Sequence, residues 1–229
     1  KEQKVQYKIQ GIFFKHPSNL QTTLELVIDS ELQVRDFLER SMQYSHKLHI
    51  DDKKTKTSSP PKPFNTSHLL QTVSSLLHIS PKHTMDICQK LYQDGKITYM
   101  RTESTKYANT FVQHLNTYIT DAYGEDYLGD FKNITNFDNQ NPHEAIRVTQ
   151  IGMEHPEYSD KKMNDVYRLI WKRTIESSMK QYIFDEYNIF ISAPVSKYKA
   201  AIQIPLFLGW KRVSTTLDKM REEQQKLST

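Results

Sequence analysis

The chain has 229 residues, 37% of them apolar and 11% aromatic, with 31 basic against 27 acidic side chains and a formal charge of +4. That length carries one large or two modest domains, the aromatics argue against disorder, and the mild positive charge permits nucleic-acid binding without demanding it. A single cysteine, Cys88, excludes an internal disulfide framework and fits a reducing compartment; no run approaches a membrane span, and no signal-peptide pattern appears in these residues.

Residues 1–29 read as strands: Val5, Tyr7 and Ile9 alternate with polar residues, Ile12-Phe13-Phe14 form a second run, and Leu20–Ile28 a third. A helix follows from about Ser30, with Leu32, Val34, Phe37, Leu38 and Met42 roughly a turn apart. His46–Ile50 returns to alternation. Asp51–Pro63 is polar, lysine-rich and proline-bearing, the clearest linker in the chain. Lys53, Lys54 and Lys56 there suit either a phosphate contact or plain solubility.

Phe64–Tyr92 reads as a helix pair. Asn65 or Thr66 caps the first helix, and Ser80-Pro81 supplies a cap and an N1 proline for the second. Gly95 stands where a terminating glycine belongs, ahead of a short β-prone run, Ile97-Thr98-Tyr99. Thr102-Glu103-Ser104-Thr105 reads as the opening of another helix that runs to Tyr123, and 124–141 as a polar loop. Asn141, Pro142 and Glu144 form a capping pattern for a helix that would set His143 and Arg147 on one face. A long helix is expected over Asp160–Tyr182, strands over 187–192, 195–204 and 207–213, and a polar tail beyond. β-rich segments thus bracket a helical block. The expected architecture is α+β, with a helical domain at 59–185 inserted into a β-rich domain split between 1–58 and 186–229.

Two stretches read as chemistry. In an extended run Tyr99 and Arg101 share a face, and a phenol beside a guanidinium suits attack on a phosphodiester: the cation draws in the phosphate and offsets the charge that builds on it. His143 and Arg147, at a helix start with free backbone N–H groups, would clamp a phosphate, with Glu144 reaching to the cap or orienting a neighbour.

The run Ile97-Thr98-Tyr99-Met100-Arg101-Thr102-Glu103-Ser104 resembles the active-site signature of type IA DNA topoisomerases. The resemblance extends over Pro63–Ser67, Thr84-Met85, Gln89–Tyr92 and His143–Arg147, in the family's order, and Gly209-Trp210 is similar to a later glycine-aromatic step. It implies Tyr99 as the nucleophile of a 5′-phosphotyrosyl link, Arg101 as the residue that positions and neutralises the phosphate, and His143 as a further catalytic contact. Glu103, Ser104, Glu144 and Arg147 would line the bound strand. It further implies a winged-helix-like (CAP-like) helical domain, a β-rich arch that lets it swing as a gate, and single-stranded DNA as partner. A monomer with no membrane association, at the nucleoid in the cytoplasm, is the corresponding expectation. Glu103 stands where the family most often has Asp, and Pro142 where it usually has Ala; neither removes a proposed catalytic group.

The family's magnesium is held by an acidic Asp-x-Asp cluster in a Toprim domain, and no Asp-x-Asp occurs in this chain. The expectation is therefore a gate fragment of a longer parent, inactive alone, whose Mg2+ ligands lie elsewhere. No Gly-x-x-x-x-Gly-Lys loop occurs either, and a phosphotyrosyl ester conserves the energy of the broken bond, so no ATP is expected. A helix-turn-helix module that binds DNA without chemistry is the alternative. A tyrosine recombinase is disfavoured, because Tyr99 precedes His143 and Arg147 rather than following them.

Overall fold

The computed structural model describes residues 5–15, 18–135 and 143–215. They fall into two units, one formed by the chain up to Lys56 with Ile183–Leu206, the other by Thr57–Tyr182 with Phe207–Thr215.

The first unit is built on antiparallel strands. β1 (Gln10–Lys15) and β2 (Ser18–Leu24) form a hairpin in the register Gln10↔Thr23 to Lys15↔Ser18. β3 (Leu48–Ile50) pairs with β5 (Tyr182–Ser192), and β6 (Lys197–Phe207) lies between β5 and β2, giving the order β1-β2-β6-β5-β3. α1 (Glu31–Ser41) starts where expected, is capped by Ser30 Oγ accepting from the Gln33 amide, and buries Phe37. Leu24, Ile28, Ile189, Ile191 and Tyr198 complete that core.

The expected linker is replaced at its centre by a strand. β4 (Lys54–Ser58) pairs with β5. Lys53 and Thr55 donate to the Asp185 carboxylate at 2.7 and 2.6 Å, and Lys56 pairs with Glu186. Two of the lysines that read as linker solubility or phosphate contacts, Lys53 and Lys56, thus match acids on the neighbouring strand; the two prolines that follow, Pro60 and Pro61, end the pairing.

The second unit is helical: α2 (Thr66–Leu77), α3 (Pro81–Gln93), α4 (Asn109–Tyr123) and α5 (Lys161–Glu176). Their apolar stripes meet in one core through Leu69, Ile87, Leu91, Leu115, Tyr167 and Ile170. Burial pushes the Cys88 thiol up to about 12, the behaviour of an inert packed cysteine. The segment 207–213, expected as a strand of the β unit, is instead a 3-10 turn, Gly209–Ser214, of the helical one. Trp210 fixes it: its amide donates to the Lys180 carbonyl at 2.9 Å and its indole N–H to Ser58 at 3.1 Å. Among the described residues no helix is long and apolar enough to cross a membrane.

Candidate active site

α3 ends as glycine endings do: Gly95 takes φ +65, and the Gly95 and Lys96 amides donate back to Tyr92 and Leu91. The chain then runs extended. Ile97 bridges Val148 in antiparallel sense, and Phe64 bridges Ile146. Residues 143–148 are therefore an extended segment between two others, not the first turn of a helix. The expected cap residues Asn141 and Pro142 lie outside the described residues. The helix expected from Thr105 begins only at Asn109. Thr102–Ala108 is spent on tertiary hydrogen bonds that a helix would forgo.

Three threonine hydroxyls fix this loop. Thr66 Oγ lies 2.8 Å from the Met100 carbonyl and 3.0 Å from that of Thr102, and accepts from the Thr102 amide at 2.9 Å. Thr98 Oγ donates to Ala145 O at 2.8 Å and accepts from the Arg147 amide at 3.0 Å. Thr102 Oγ accepts from the Ser104 amide at 3.1 Å, and Ser104 Oγ from the Lys106 amide at 3.2 Å. Met100 and Thr102 are thereby driven inside, leaving Tyr99 half-buried and Arg101 exposed on the outer side.

The Tyr99 ring packs 4.6 Å from the imidazole of His143, tilted by 43°, and 5.4 Å edge-on from the ring of Tyr92. Among the described residues no protein group takes its hydroxyl, and Arg101 makes no ion pair. The structure thus brings together Tyr99 and His143, with an unengaged guanidinium two residues from the phenol. Glu103 Oε2 accepts from Asn65 Nδ2 at 3.3 Å, while Asn65 Oδ1 caps α2 by accepting from the His68 amide.

Glu144 and Arg147 pair with one another. Arg147 Nη2 and Nε donate to the two Glu144 oxygens at 2.6 and 2.9 Å, Nη1 donates to the Val148 carbonyl, and the guanidinium stacks 3.6 Å over Phe111. Glu144 Oε2 also accepts from the Ala108 amide. Both side chains are mostly shielded, and their polar atoms are used in holding the loop to α4. Ser104 is likewise engaged through its hydroxyl.

Thr66, Thr98 and Tyr92 were not singled out as functional from the sequence. Their one signal is position: Thr66 within Pro63–Ser67, Thr98 beside the tyrosine, and Tyr92 in the last turn of α3. Three other tyrosines, the buried Tyr107 and Tyr167 and the partly buried Tyr123, are poor nucleophiles, desolvation raising each to about 12. Among the described residues no group of three His, Cys, Asp or Glu side chains is arranged to hold a metal ion. The site as built here does not fit one.

A family model described as DNA topoisomerase matches residues 2–229. The DNA topoisomerase 1 of Helicobacter pylori (strain 26695) is 32% identical over 226 residues, covering 92% of this chain and 30% of that protein. For the DNA topoisomerase 1 of Escherichia coli K12 the values are 34% over 181 residues, 77% and 21%. The solved structure of full-length topoisomerase I from Thermotoga maritima superposes with a TM-score of 0.68 at 29% identity, over 93% of this chain and 36% of that one. The chain spans less than a third of the length of either curated relative.

Proposed function

The chain belongs to the type IA DNA topoisomerase family, and from that premise we propose that it carries the nucleophile half of a single-strand cleavage and religation centre. The observation that supports this most directly is the surroundings of Tyr99: packed by His143 and Tyr92, its hydroxyl free of protein partners among the described residues, next to an unpaired Arg101.

In the proposed reaction the Tyr99 oxygen attacks a backbone phosphorus of a single DNA strand. A bond forms between Tyr99 Oη and phosphorus, and the bond from phosphorus to the 3′-oxygen breaks. The phenol proton is released, and the departing 3′-oxygen takes one up. The product is a 5′-phosphotyrosyl ester with a free 3′-hydroxyl, and the reverse attack reseals the strand without ATP. Arg101 draws the phosphate in and offsets the negative charge of the transition state. The His143 ring limits the rotamers of Tyr99 and presents an N–H toward the same phosphate. The three threonine hydroxyls hold the loop so that the phenol stays on the outer side.

The finer reading follows the family. The helical unit would act as a winged-helix-like gate domain and the β-rich unit as the arch on which it swings. Single-stranded DNA would be the substrate, and the working enzyme a monomer acting at the nucleoid. Magnesium, in that reading, is held by a Toprim domain of the full-length parent, so no step is routed through it here, and this chain alone would not relax DNA. Tyr99→Phe in the full-length parent tests the proposal: relaxation of supercoiled plasmid is expected to vanish while strand binding persists. Relaxation that survives would leave a DNA-binding module with a structural tyrosine.

A further inference from the structure

A second cationic site lies on the helical unit, around the first two turns of α2. A groove of about 240 Å3 is lined by Lys62, His68, Gln71, Thr72 and Arg173. Arg173, from α5, is the informative member. Its guanidinium lies 4.0 Å over the Phe64 ring and donates to the Lys62 carbonyl at 3.2 Å, yet among the described residues it forms no ion pair. The nearest acid in sequence, Glu176, is turned elsewhere, accepting from Ser214 at 3.2 Å with Lys172 at 3.6 Å. Burial lowers the Arg173 pKa, and the charge of Glu176 offsets this only in part, without a direct ion pair among the described residues.

An arginine fixed by a ring and a carbonyl keeps donors for an anion, and Lys62 and His68 are exposed beside it. Thr72 donates its own proton to the His68 carbonyl at 2.7 Å, which leaves its oxygen as an acceptor, and Gln71 adds amide donors. The lining is rich in cations and has no carboxylate.

The groove and the tyrosine loop both involve the first turn of α2. Thr66, which holds Met100 and Thr102, is the first residue of α2, and His68 is two residues further in the same turn. A polynucleotide carries a phosphate at every nucleotide, so one strand offers anions to more than one such cationic group.

We propose that Lys62, His68 and Arg173 form an accessory subsite for a backbone phosphate of the same single strand that the reading above assigns to Tyr99. The subsite contributes binding and strand direction, and no chemistry.

The test uses the 229-residue chain, a fluorescein-labelled oligothymidine single strand and anisotropy titrations at several salt concentrations. Lys62→Ala/His68→Ala is expected to weaken binding several-fold and to reduce the slope of log K against log salt by about 0.7, the value for one single-strand phosphate contact. Both side chains are exposed, so the fold should be retained, and Lys62→Glu should weaken binding further. Arg101→Ala provides the separate arm for the tyrosine site. If Arg101→Ala weakens binding while the double variant leaves affinity and slope unchanged, the accessory subsite is overturned. If the unmodified chain does not bind, or Arg101→Ala also has no effect, the strand site of the proposed function falls with it. Displacement of the strand by inorganic phosphate at matched ionic strength, lost in the double variant, would make this a free-anion site and overturn the strand assignment.

Discussion

Arg147 and Glu144 meet through two parallel hydrogen bonds, 2.6 and 2.9 Å long, with side-chain exposures of only 12% and 17%. The pair ties the extended segment that carries His143 to the start of α4, because Glu144 also accepts from the Ala108 amide. Arg147→Ala would strand a shielded carboxylate. We expect a loss of about 2–4 kcal/mol, read from the urea midpoint. Arg147→Lys should recover little, since an ammonium cannot reproduce the two-pronged contact or the stacking on Phe111.

The Thr66 hydroxyl provides a second check on the loop. Thr66→Val keeps the shape but removes the acceptor of the Thr102 amide, leaving a half-buried N–H unpaired. A loss of about 1–3 kcal/mol is expected, and Thr66→Ser should restore most of it. Increased hydrogen exchange at the Thr102 amide in the valine variant would locate the effect; an unchanged rate would contradict it.

Gly209 and Gly95 separate steric crowding from backbone conformation. Both have positive φ, +48 and +65, but a Cβ at Gly209 would sit 2.2 Å from the Gln181 carbonyl oxygen, while one at Gly95 meets nothing within 4 Å. Gly95→Ala should cost about 1 kcal/mol, the usual penalty of a left-handed alanine. Gly209→Ala should cost about 3 kcal/mol or more, because backbone must move. Thermal midpoints of the two variants give the comparison, and equal shifts would contradict it.

These contrasts show what was legible in the sequence. The alternation Tyr99, Met100, Arg101, Thr102 is local, and burial follows it, with Met100 and Thr102 inside. The caps at Asn65 and Ser80 are local as well, and each forms the expected side-chain hydrogen bond. The segment around His143 carries a local capping pattern that reads as helical, whereas its true partners, Phe64 and Ile97, lie about 80 and 50 residues away in sequence. β4 is illegible locally for the same reason. Its lysines become meaningful only against Asp185 and Glu186, more than 120 residues later. Thr66 read only as a cap candidate, and its contact with Thr102 is a tertiary one.

Two carboxylates, Asp185 and Glu176, should respond to acid in opposite senses. Hydrogen bonds from Lys53 and then Thr55 hold the Asp185 carboxyl below its ordinary range, so its contribution is present above the unfolded value of about 3.9 and is lost as pH falls through the lower folded value. Burial raises Glu176, so its contribution is present below the unfolded value of about 4.3 and is lost as pH rises through the higher folded one. Urea midpoints between pH 2 and 7 should therefore show the penalty of Asp185→Asn shrinking toward the acid end. Glu176→Gln should gain on the parent as pH rises. Parallel pH profiles for both variants would contradict the assignment.

The identity of the nucleophile is tested most directly by trapping the covalent intermediate. The full-length parent, incubated with single-stranded DNA and quenched with detergent, should yield a protein–DNA adduct. After nuclease and trypsin treatment, mass spectrometry should find the nucleotide phosphate on the peptide Ile97–Arg101, at Tyr99. A phosphate ester on any other residue, or an adduct that persists in Tyr99→Phe, would contradict the account.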